Sequence, residues 1–157
     1  MKKVIDNKVK IADVVNLRES FVDVDITCLC YSSRCNDART VRQLVQAGAD
    51  VTASDSRGFT PLHRACASEI QAQEKVEYLL SRDASIVARN VKNNTPLHTA
   101  ALSGNDAVIS VLIQHGADVN ELGQFGRTAL HGACNNGHVA CIHVLVRHGS
   151  DVDLGSH

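Results

Sequence analysis

The chain has 157 residues, a formal net charge of −1 and 44% hydrophobic residues, a composition that fits a folded globular protein. It has two Tyr, three Phe and no Trp, and no long basic segment, which disfavours nucleic-acid binding. No apolar run reaches the length of a membrane span and no signal-like apolar core follows Met1, so we expect a protein without membrane insertion, in the cytoplasm, with the nucleus left open.

The first predicted element is a short amphipathic helix near the N-terminus. Between Val9 and Leu17, apolar residues recur at helical spacing with charged residues between them. Residues 1–21 are therefore predicted to be an N-terminal cap helix or a partial copy of the units that follow.

A tetrapeptide then recurs along the chain. Thr-Pro-Leu-His begins at Thr60 and again at Thr95, and Thr-Ala-Leu-His begins at Thr128, so the spacings are 35 and 33 residues. Thr27 begins a degenerate copy, Thr-Cys-Leu-Cys. Self-similarity at this period indicates a stack of small units, none of which can bury its apolar face alone.

A second sequence block closes each unit. The four closing blocks begin at Gly48, Asp83, Gly116 and Gly149. Each lies 21 residues after the first Thr of its unit, except in the second unit, where 23 residues predict an insertion of two residues between Ser68 and Glu74. The predicted repeats are 22–54, 55–89, 90–122 and 123–153, and a tail follows at 154–157.

These blocks and their spacing resemble the ankyrin-repeat family, and the resemblance covers most of the chain. It implies an all-α solenoid of helix-turn-helix units joined by short hairpin tips. It also implies a protein-interaction module, an adaptor or scaffold, with no catalytic centre and no cofactor. A protein partner is expected to bind across the hairpin tips and the concave face of the first helices.

The motif residues have structural roles that helix chemistry predicts. Thr60, Thr95 and Thr128 are placed as helix N-caps, and the Pro that follows the first two suits the first helical position. The closing glycines, and Asp83 in the second repeat, are predicted to take positive φ at helix ends. Apolar residues at helical spacing predict the buried stripes of the second helices: Val41, Leu44 and Val45; Val76, Leu79 and Leu80; Val108, Val111, Leu112 and Ile113; and Val139, Ile142, Leu145 and Val146.

The histidines and cysteines are also predicted to be structural. The resemblance implies that the histidine of each Thr-x-Leu-His tetrapeptide forms a hydrogen bond with the turn near the Thr of its own repeat. Cys66, Cys134 and Cys141 are interpreted as small buried residues. Cys28, Cys30 and Cys35 have the spacing C-x-C-x4-C, which is not a usual structural-zinc spacing. The sequence has no nucleophile or metal-ligand motif, so no metal site and no enzyme are predicted, and a small-ligand or metal-binding module is the less favoured alternative.

Partner binding is assigned by the resemblance to positions beside the tip glycines and at the ends of the first helices. The predicted contact residues are Ser56, Arg57, Phe59, Val91, Lys92, Asn94, Gln124, Phe125 and Arg127 at the tips, and Leu102, Ser103, Asn135 and Asn136 on the first helices. The two phenylalanines and the arginines are the strongest candidates, because such residues dominate binding hot spots; the alternative for each Phe is packing against its own hairpin. The cations Arg57, Lys92 and Arg127 favour a partner with an acidic or phosphorylated segment.

Two narrower resemblances concern single repeats. The block Thr-Pro-Leu-His-Arg-Ala at Thr60, with its lengthened connection, looks like the regulatory ankyrin-repeat subunits of protein phosphatase 6. The block Gly-Arg-Thr-Ala-Leu-His at Gly126 is similar to the ankyrin arrays of SOCS-box substrate receptors of ubiquitin ligases, which would require truncation before the SOCS box. No polar capping repeat follows the last predicted helix, so we expect an exposed apolar end, covered by a partner, by a second copy of the chain or by further repeats.

One covalent modification is also suggested by resemblance. Leu112 lies eight residues before Asn120, a spacing that looks like the sites of the asparaginyl hydroxylase that acts on ankyrin repeats. The alternative is a purely structural asparagine in the hairpin. Asn120 is therefore a candidate for hydroxylation.

Overall fold

The computed structural model describes residues 19–21 and 24–154. The chain divides into two compact units, Met1–Ala84 (unit 1) and Ser85–His157 (unit 2). Of the predicted N-terminal cap at 1–21, only the last three residues are described, and they form a strand and not a helix. The rest of that prediction lies outside the described residues.

Unit 1 contains a short hairpin and two helix pairs. Its elements are β1 (Glu19–Phe21), β2 (Val24–Ile26), α1 (Cys28–Cys35), α2 (Ala38–Gln46), α3 (Pro61–Cys66) and α4 (Ala72–Leu80). The two strands pair antiparallel, with Glu19 opposite Ile26; the sequence did not predict them. The first helices α1 and α3 pack against each other, and so do the second helices α2 and α4.

Unit 2 repeats this plan. Its elements are α5 (Pro96–Ser103), α6 (Asp106–Gln114), a 3-10 turn (Gln124–Gly126), α7 (Ala129–Asn135) and α8 (Val139–Arg147). Again the first helices α5 and α7 pack together, as do the second helices α6 and α8. The predicted all-α fold of helix-turn-helix units is confirmed in each unit.

The three tetrapeptides that contain His each begin a helix through a Thr and a His three residues apart. The side chain of Thr60 accepts the backbone N–H of His63, and Nδ1 of that imidazole accepts the backbone N–H of Thr60 at 3.3 Å. The same reciprocal pair forms at Thr95 and at Thr128. The histidine thus takes the place that Glu or Gln has in a usual capping box, and its predicted bond to the turn of its own repeat is confirmed.

The predicted insertion is found in the connection between α3 and α4. Five residues, 67–71, separate these helices, whereas two residues separate α5 from α6. Gln71 ends the connection with φ of 44°. Asp83, which stands in place of the closing glycine, has φ of 62°, so its predicted positive φ is confirmed.

The core forms mostly where the helical spacing predicts it. Val41, Val76, Leu79, Val108, Val111, Leu112 and Leu145 are buried. The prediction is wrong for Val139 and Val146, which are 61% and 46% exposed, because α6 packs on one side of α8 and no described element of unit 2 covers the other. The expected exposed apolar end is therefore present on α8.

The cysteines follow the prediction with one exception. Cys30, Cys66 and Cys141 are buried, and burial raises the pKa of the Cys30 and Cys141 thiols to about 11. The predicted burial of Cys134 is wrong: it lies exposed on the last turn of α7.

A buried ion pair holds the tip of the second repeat. The Asp55 carboxylate, which is fully buried, accepts the backbone N–H groups of Arg57 at 2.9 Å and Phe59 at 3.0 Å. Its other oxygen accepts two N–H groups of the Arg64 guanidinium. In unit 2, the Asn90 amide oxygen accepts the corresponding backbone N–H groups, and Thr99 occupies the position of the arginine.

A buried lysine joins α1 to the lengthened connection. Lys75 on α4 is fully buried, and its ammonium donates to the Asn36 carbonyl at 2.9 Å and to the Ser68 hydroxyl at 2.6 Å. That hydroxyl donates in turn to the Arg34 carbonyl at 2.8 Å. The cation therefore lies at the C-terminal end of α1, where the helix dipole favours positive charge. Burial lowers the pKa of Lys75 to about 8, against the smaller opposing effects of Cys35 and Asp37.

We predict that Arg64→Ala lowers the free energy of unfolding by about 3 kcal/mol, because it leaves a buried carboxylate without its counter-ion. The double variant Asp55→Asn, Arg64→Thr has the residue types of Asn90 and Thr99 at the equivalent positions of the third repeat. Its free energy of unfolding should fall by less than half as much as that of Arg64→Ala. Urea unfolding followed by circular dichroism measures both. A double variant that is as unstable as Arg64→Ala would contradict the prediction.

We also predict that the wild type gains stability relative to Lys75→Met as the pH rises above about 8. The pKa of Lys75 is lower in the folded than in the unfolded chain, so above this pH the unfolded chain binds more protons and its formation is increasingly disfavoured. Chemical unfolding of both proteins at about pH 7 and about pH 9.5 tests this, with the exposed Lys92→Met as the matched control. Equal pH dependence in all three proteins would show that the Lys75 ammonium is not depressed by burial.

Candidate partner-binding surface

In unit 1 the predicted contact residues occupy the tip between Asp55 and Thr60. Ser56 and Arg57 are exposed, whereas Phe59 is half-buried. The Arg64 guanidinium lies 4.5 Å from the centroid of the Phe59 ring, and the His63 ring meets it edge-on at 5.7 Å. Phe59 thus packs within its own repeat, which is the alternative that the sequence left open.

In unit 2 the first tip exposes Val91 and Lys92. Their neighbour Asn94 is buried, and its amide oxygen accepts the backbone N–H of Gln124 at 2.9 Å. Asn94 therefore joins this tip to the next one. Its burial leaves little side chain for a partner to contact, so we do not retain it as a contact residue.

A second link between the two tips of unit 2 comes from Arg89. Its guanidinium donates to the carbonyls of Asn93 at 3.0 Å and Leu122 at 2.9 Å, and it forms an ion pair with Glu121. Both tips are therefore fixed relative to each other.

The second tip of unit 2 presents an aromatic side chain in an unusual conformation. Phe125 is 78% exposed and has φ of 58°, a left-handed conformation that is strained for a bulky residue. The Arg127 guanidinium lies 5.9 Å from the centroid of its ring. The backbone below is fixed, because Nε2–H of His98 donates to the Arg127 carbonyl at 3.1 Å. Burial is the main cause that lowers the pKa of His98, which favours this neutral form.

The contact residues predicted on the first helices have different roles. Leu102, at 41% exposed, and Ser103 lie on the last turn of α5, and Asn135 is exposed at the end of α7. Asn136 instead donates its amide N–H to the Leu102 carbonyl at 2.8 Å. His138 donates to the same carbonyl at 3.2 Å, so these two side chains cap α5.

A groove of about 110 Å³ lies between α5, α7 and the second tip of unit 2. The predicted contact residues that line it are Asn94, Leu102, Gln124, Phe125, Arg127 and Asn135. Sequence reasoning missed Gly132, which also lines it. The available signal was a glycine in the middle of a predicted helix, at the position of Arg64 and Thr99 in the other repeats.

Asn120, the candidate for hydroxylation, lies outside this groove and joins two closing blocks. Its amide N–H donates to the Gly149 carbonyl at 3.3 Å, and its amide oxygen accepts the backbone N–H of Asp151 at 2.8 Å. Leu112, eight residues earlier, is fully buried. The amide therefore has a structural role, whether or not it is modified.

Neither a metal-binding cluster nor a membrane-spanning helix is present among the described residues. No group of three or more His, Cys, Asp or Glu side chains in residues 19–21 and 24–154 could hold a metal ion. Within the same residues, every helix is too short or too polar to cross a membrane.

The family that matches this sequence agrees with the tips, the capping boxes and the paired helices of the structure. A family model described as ankyrin repeats (3 copies) matches residues 9–90 and 84–156. The chain belongs to the ankyrin-repeat family. Ankyrin repeats are general protein-interaction modules and are typically non-catalytic, so the family supports protein binding by this chain.

Proposed function

We propose that the protein is an adaptor or scaffold that binds an acidic or phosphorylated segment of a partner protein. The binding surface is the tip surface of unit 2, defined as Val91, Lys92, Gln124, Phe125 and Arg127. The exposed Phe125 carries the proposal, because a large aromatic side chain held in a strained conformation on a braced tip has no evident structural role. Strain of this kind clusters at binding sites.

The charges of the tip surface support an anionic partner. Lys92 and Arg127 are both exposed cations. The nearby carboxylate of Glu121 is engaged in the ion pair with Arg89. Such a cationic edge accelerates encounter with an acidic segment and disfavours basic ones. Ser56 and Arg57 give unit 1 a tip of similar chemistry, and we include them in the proposal as secondary contacts.

We propose that the protein acts in the cytoplasm or nucleus. The proposed activity is binding, with no catalytic step.

Two partner classes follow from the narrower resemblances. A scaffold of a protein phosphatase 6 complex is one, supported by the Thr60 block and the connection at 67–71. A substrate receptor of a ubiquitin ligase is the other, supported by the Gly126 block. Identification of the partner separates them.

We expect the triple variant Lys92→Glu, Phe125→Ser, Arg127→Glu to lose its partner. Removal of an aromatic and an arginine hot spot together should weaken binding by about 2 kcal/mol or more, and the reversed charges repel an acidic segment. Immobilised wild type and variant, matched by circular dichroism, are incubated with cell lysate, and the captured proteins are identified by mass spectrometry. Phosphatase treatment of the lysate distinguishes a phosphorylated segment from an acidic one.

The matched control is Arg147→Glu, which makes a single charge reversal of the same kind on α8, away from the tips. It should capture the same proteins as the wild type. Equal capture by the triple variant would place binding elsewhere and contradict the proposal. Loss with Arg147→Glu alone would move the binding surface to the apolar end of α8.

We also propose that Asn120 is hydroxylated. Because both ends of its amide are hydrogen-bonded to the closing block at 149–151, an enzyme would need local opening of this segment to reach it. Peptide mass analysis of protein made in normoxic and hypoxic cells should show an added oxygen on Asn120 only in the first. Unmodified Asn120 in both, with the hydroxylase present, would end this proposal.

A further inference from the structure

Gly132 lies in the middle of α7, where glycine is unfavourable. It is the fourth of seven residues of the helix, and glycine is the weakest helix former after proline. Its φ does not lie in the left-handed region, so the backbone conformation does not require glycine. Any structural requirement for glycine at this position must therefore come from the neighbouring side chains.

The neighbours of Gly132 do not require glycine either. A Cβ there would lie 3.2 Å from Cδ2 and 3.3 Å from Cγ of Leu102, which are atoms of a partly exposed, flexible side chain. Gly123 in the same repeat is different, because its Cβ would lie 2.5 Å from the buried Asn94 amide oxygen and 2.6 Å from His98 Nε2. Gly123 is thus required by packing, whereas a Cβ at Gly132 needs only a shift of a few tenths of an ångström by the Leu102 side chain. The equivalent positions of two other repeats hold Arg64 and Thr99, so glycine leaves this side of the groove without a side chain.

The groove beside Gly132 is lined by apolar and polar residues. Leu102, Phe125, Ala129 and Gly132 line it together with the cationic Arg127, and its other lining residues are polar: Asn94, His98, Gln124, Thr128, His131 and Asn135. None of the side chains that line the groove is a carboxylate, and Arg127 forms no ion pair with a described residue. The apolar part of the groove, beside a guanidinium without a carboxylate partner among the described residues, suits an aliphatic group that carries an acid next to it.

The size of the groove restricts the aliphatic group. A closed apolar cavity of about 150 Å³ accommodates benzene, so a groove of about 110 Å³ is better matched by a branched four-carbon side chain. Leucine and isoleucine fit this description.

We propose that the groove holds one leucine or isoleucine side chain of a partner protein, and that Gly132 is the residue that admits it. A carboxylate of the same partner segment pairs with Arg127. This assignment rests on the proposed function of the tip surface and adds the apolar anchor that the partner must contain.

A displayed library of random peptides tests the inference without knowledge of the partner. The whole chain is the bait, and three proteins are compared: the wild type, Gly132→Thr and Ala107→Thr. Gly132→Thr places the residue of the third repeat in the groove, whereas Ala107→Thr adds a similar side chain at an exposed site of α6. Wild-type selections should enrich Leu or Ile at a constant distance from Asp or Glu. A synthetic peptide from the selection should bind Gly132→Thr about ten-fold more weakly or worse, and Ala107→Thr like the wild type.

Two further variants separate the groove from a general loss of structure. Leu102→Ala removes one wall at an exposed position and should also weaken the peptide. Replacement of the peptide acid by its amide should weaken binding to wild type but not to Arg127→Gln, because the amide and the glutamine variant remove the same ion pair.

Three outcomes would overturn the inference. One is the absence of enriched sequences; another is equal binding of the enriched peptide to wild type and Gly132→Thr. The third is concentration-dependent self-association that Gly132→Thr abolishes, which would assign the groove to a second copy of the chain. If lysate partners are lost with the tip triple variant but kept with Gly132→Thr, the proposed function stands and only the groove assignment fails.

Discussion

One imidazole, that of His98, joins a helix start to the next tip, and the candidate site depends on it. In unit 2, Nδ1 of His98 accepts from the backbone and side chain of Thr95, while Nε2–H donates to the Arg127 carbonyl. These bonds use both nitrogens of one neutral ring. They fix the start of α5 and the next tip to the same side chain, so the Phe125 tip is held rigidly although its residues are exposed. Rigid presentation lowers the entropy lost on binding.

The framework leaves the same position exposed in the tips of the last three repeats. Arg57, Lys92 and Phe125 each lie three residues before the capping Thr of the next helix. In the first two of these tips, the side chain of the preceding Asp55 or Asn90 accepts a backbone N–H of the tip and holds it. The last tip has glycine at that position and is held by Asn94 and His98 instead. A change of the bracing residue thus coincides with the change from a cation to an aromatic contact residue.

Local features of the sequence predicted the local structure well. The capping Thr and His, the positive φ of Asp83 and the insertion before α4 all depend on residues close in sequence, whose preferences can be read directly. Helical spacing placed the core correctly wherever a neighbouring helix covers the stripe. It failed at Val139 and Val146, because spacing gives the direction of an apolar face and not whether another element covers it.

The parts that could not be predicted depend on pairs of residues far apart in sequence. The burial of Lys75 requires the carbonyl of Asn36 and the hydroxyl of Ser68 to meet it, and no local pattern shows that meeting. The groove likewise depends on Leu102 facing Gly132 across two helices.

Comparison of equivalent positions recovers part of this information. Asp55, Asn90 and Gly123 are equivalent residues that precede the three tips, and the residue nine positions later differs with each of them. It is Arg64 where Asp55 needs a counter-ion, Thr99 where Asn90 is neutral, and Gly132 where Gly123 has no side chain to support. In the last repeat the supporting side chain is therefore unnecessary, and its loss opens the groove beside Phe125. A binding feature can thus arise in a repeat protein by deletion of a structural pair, here together with a changed backbone at Phe125, whose φ is 58°.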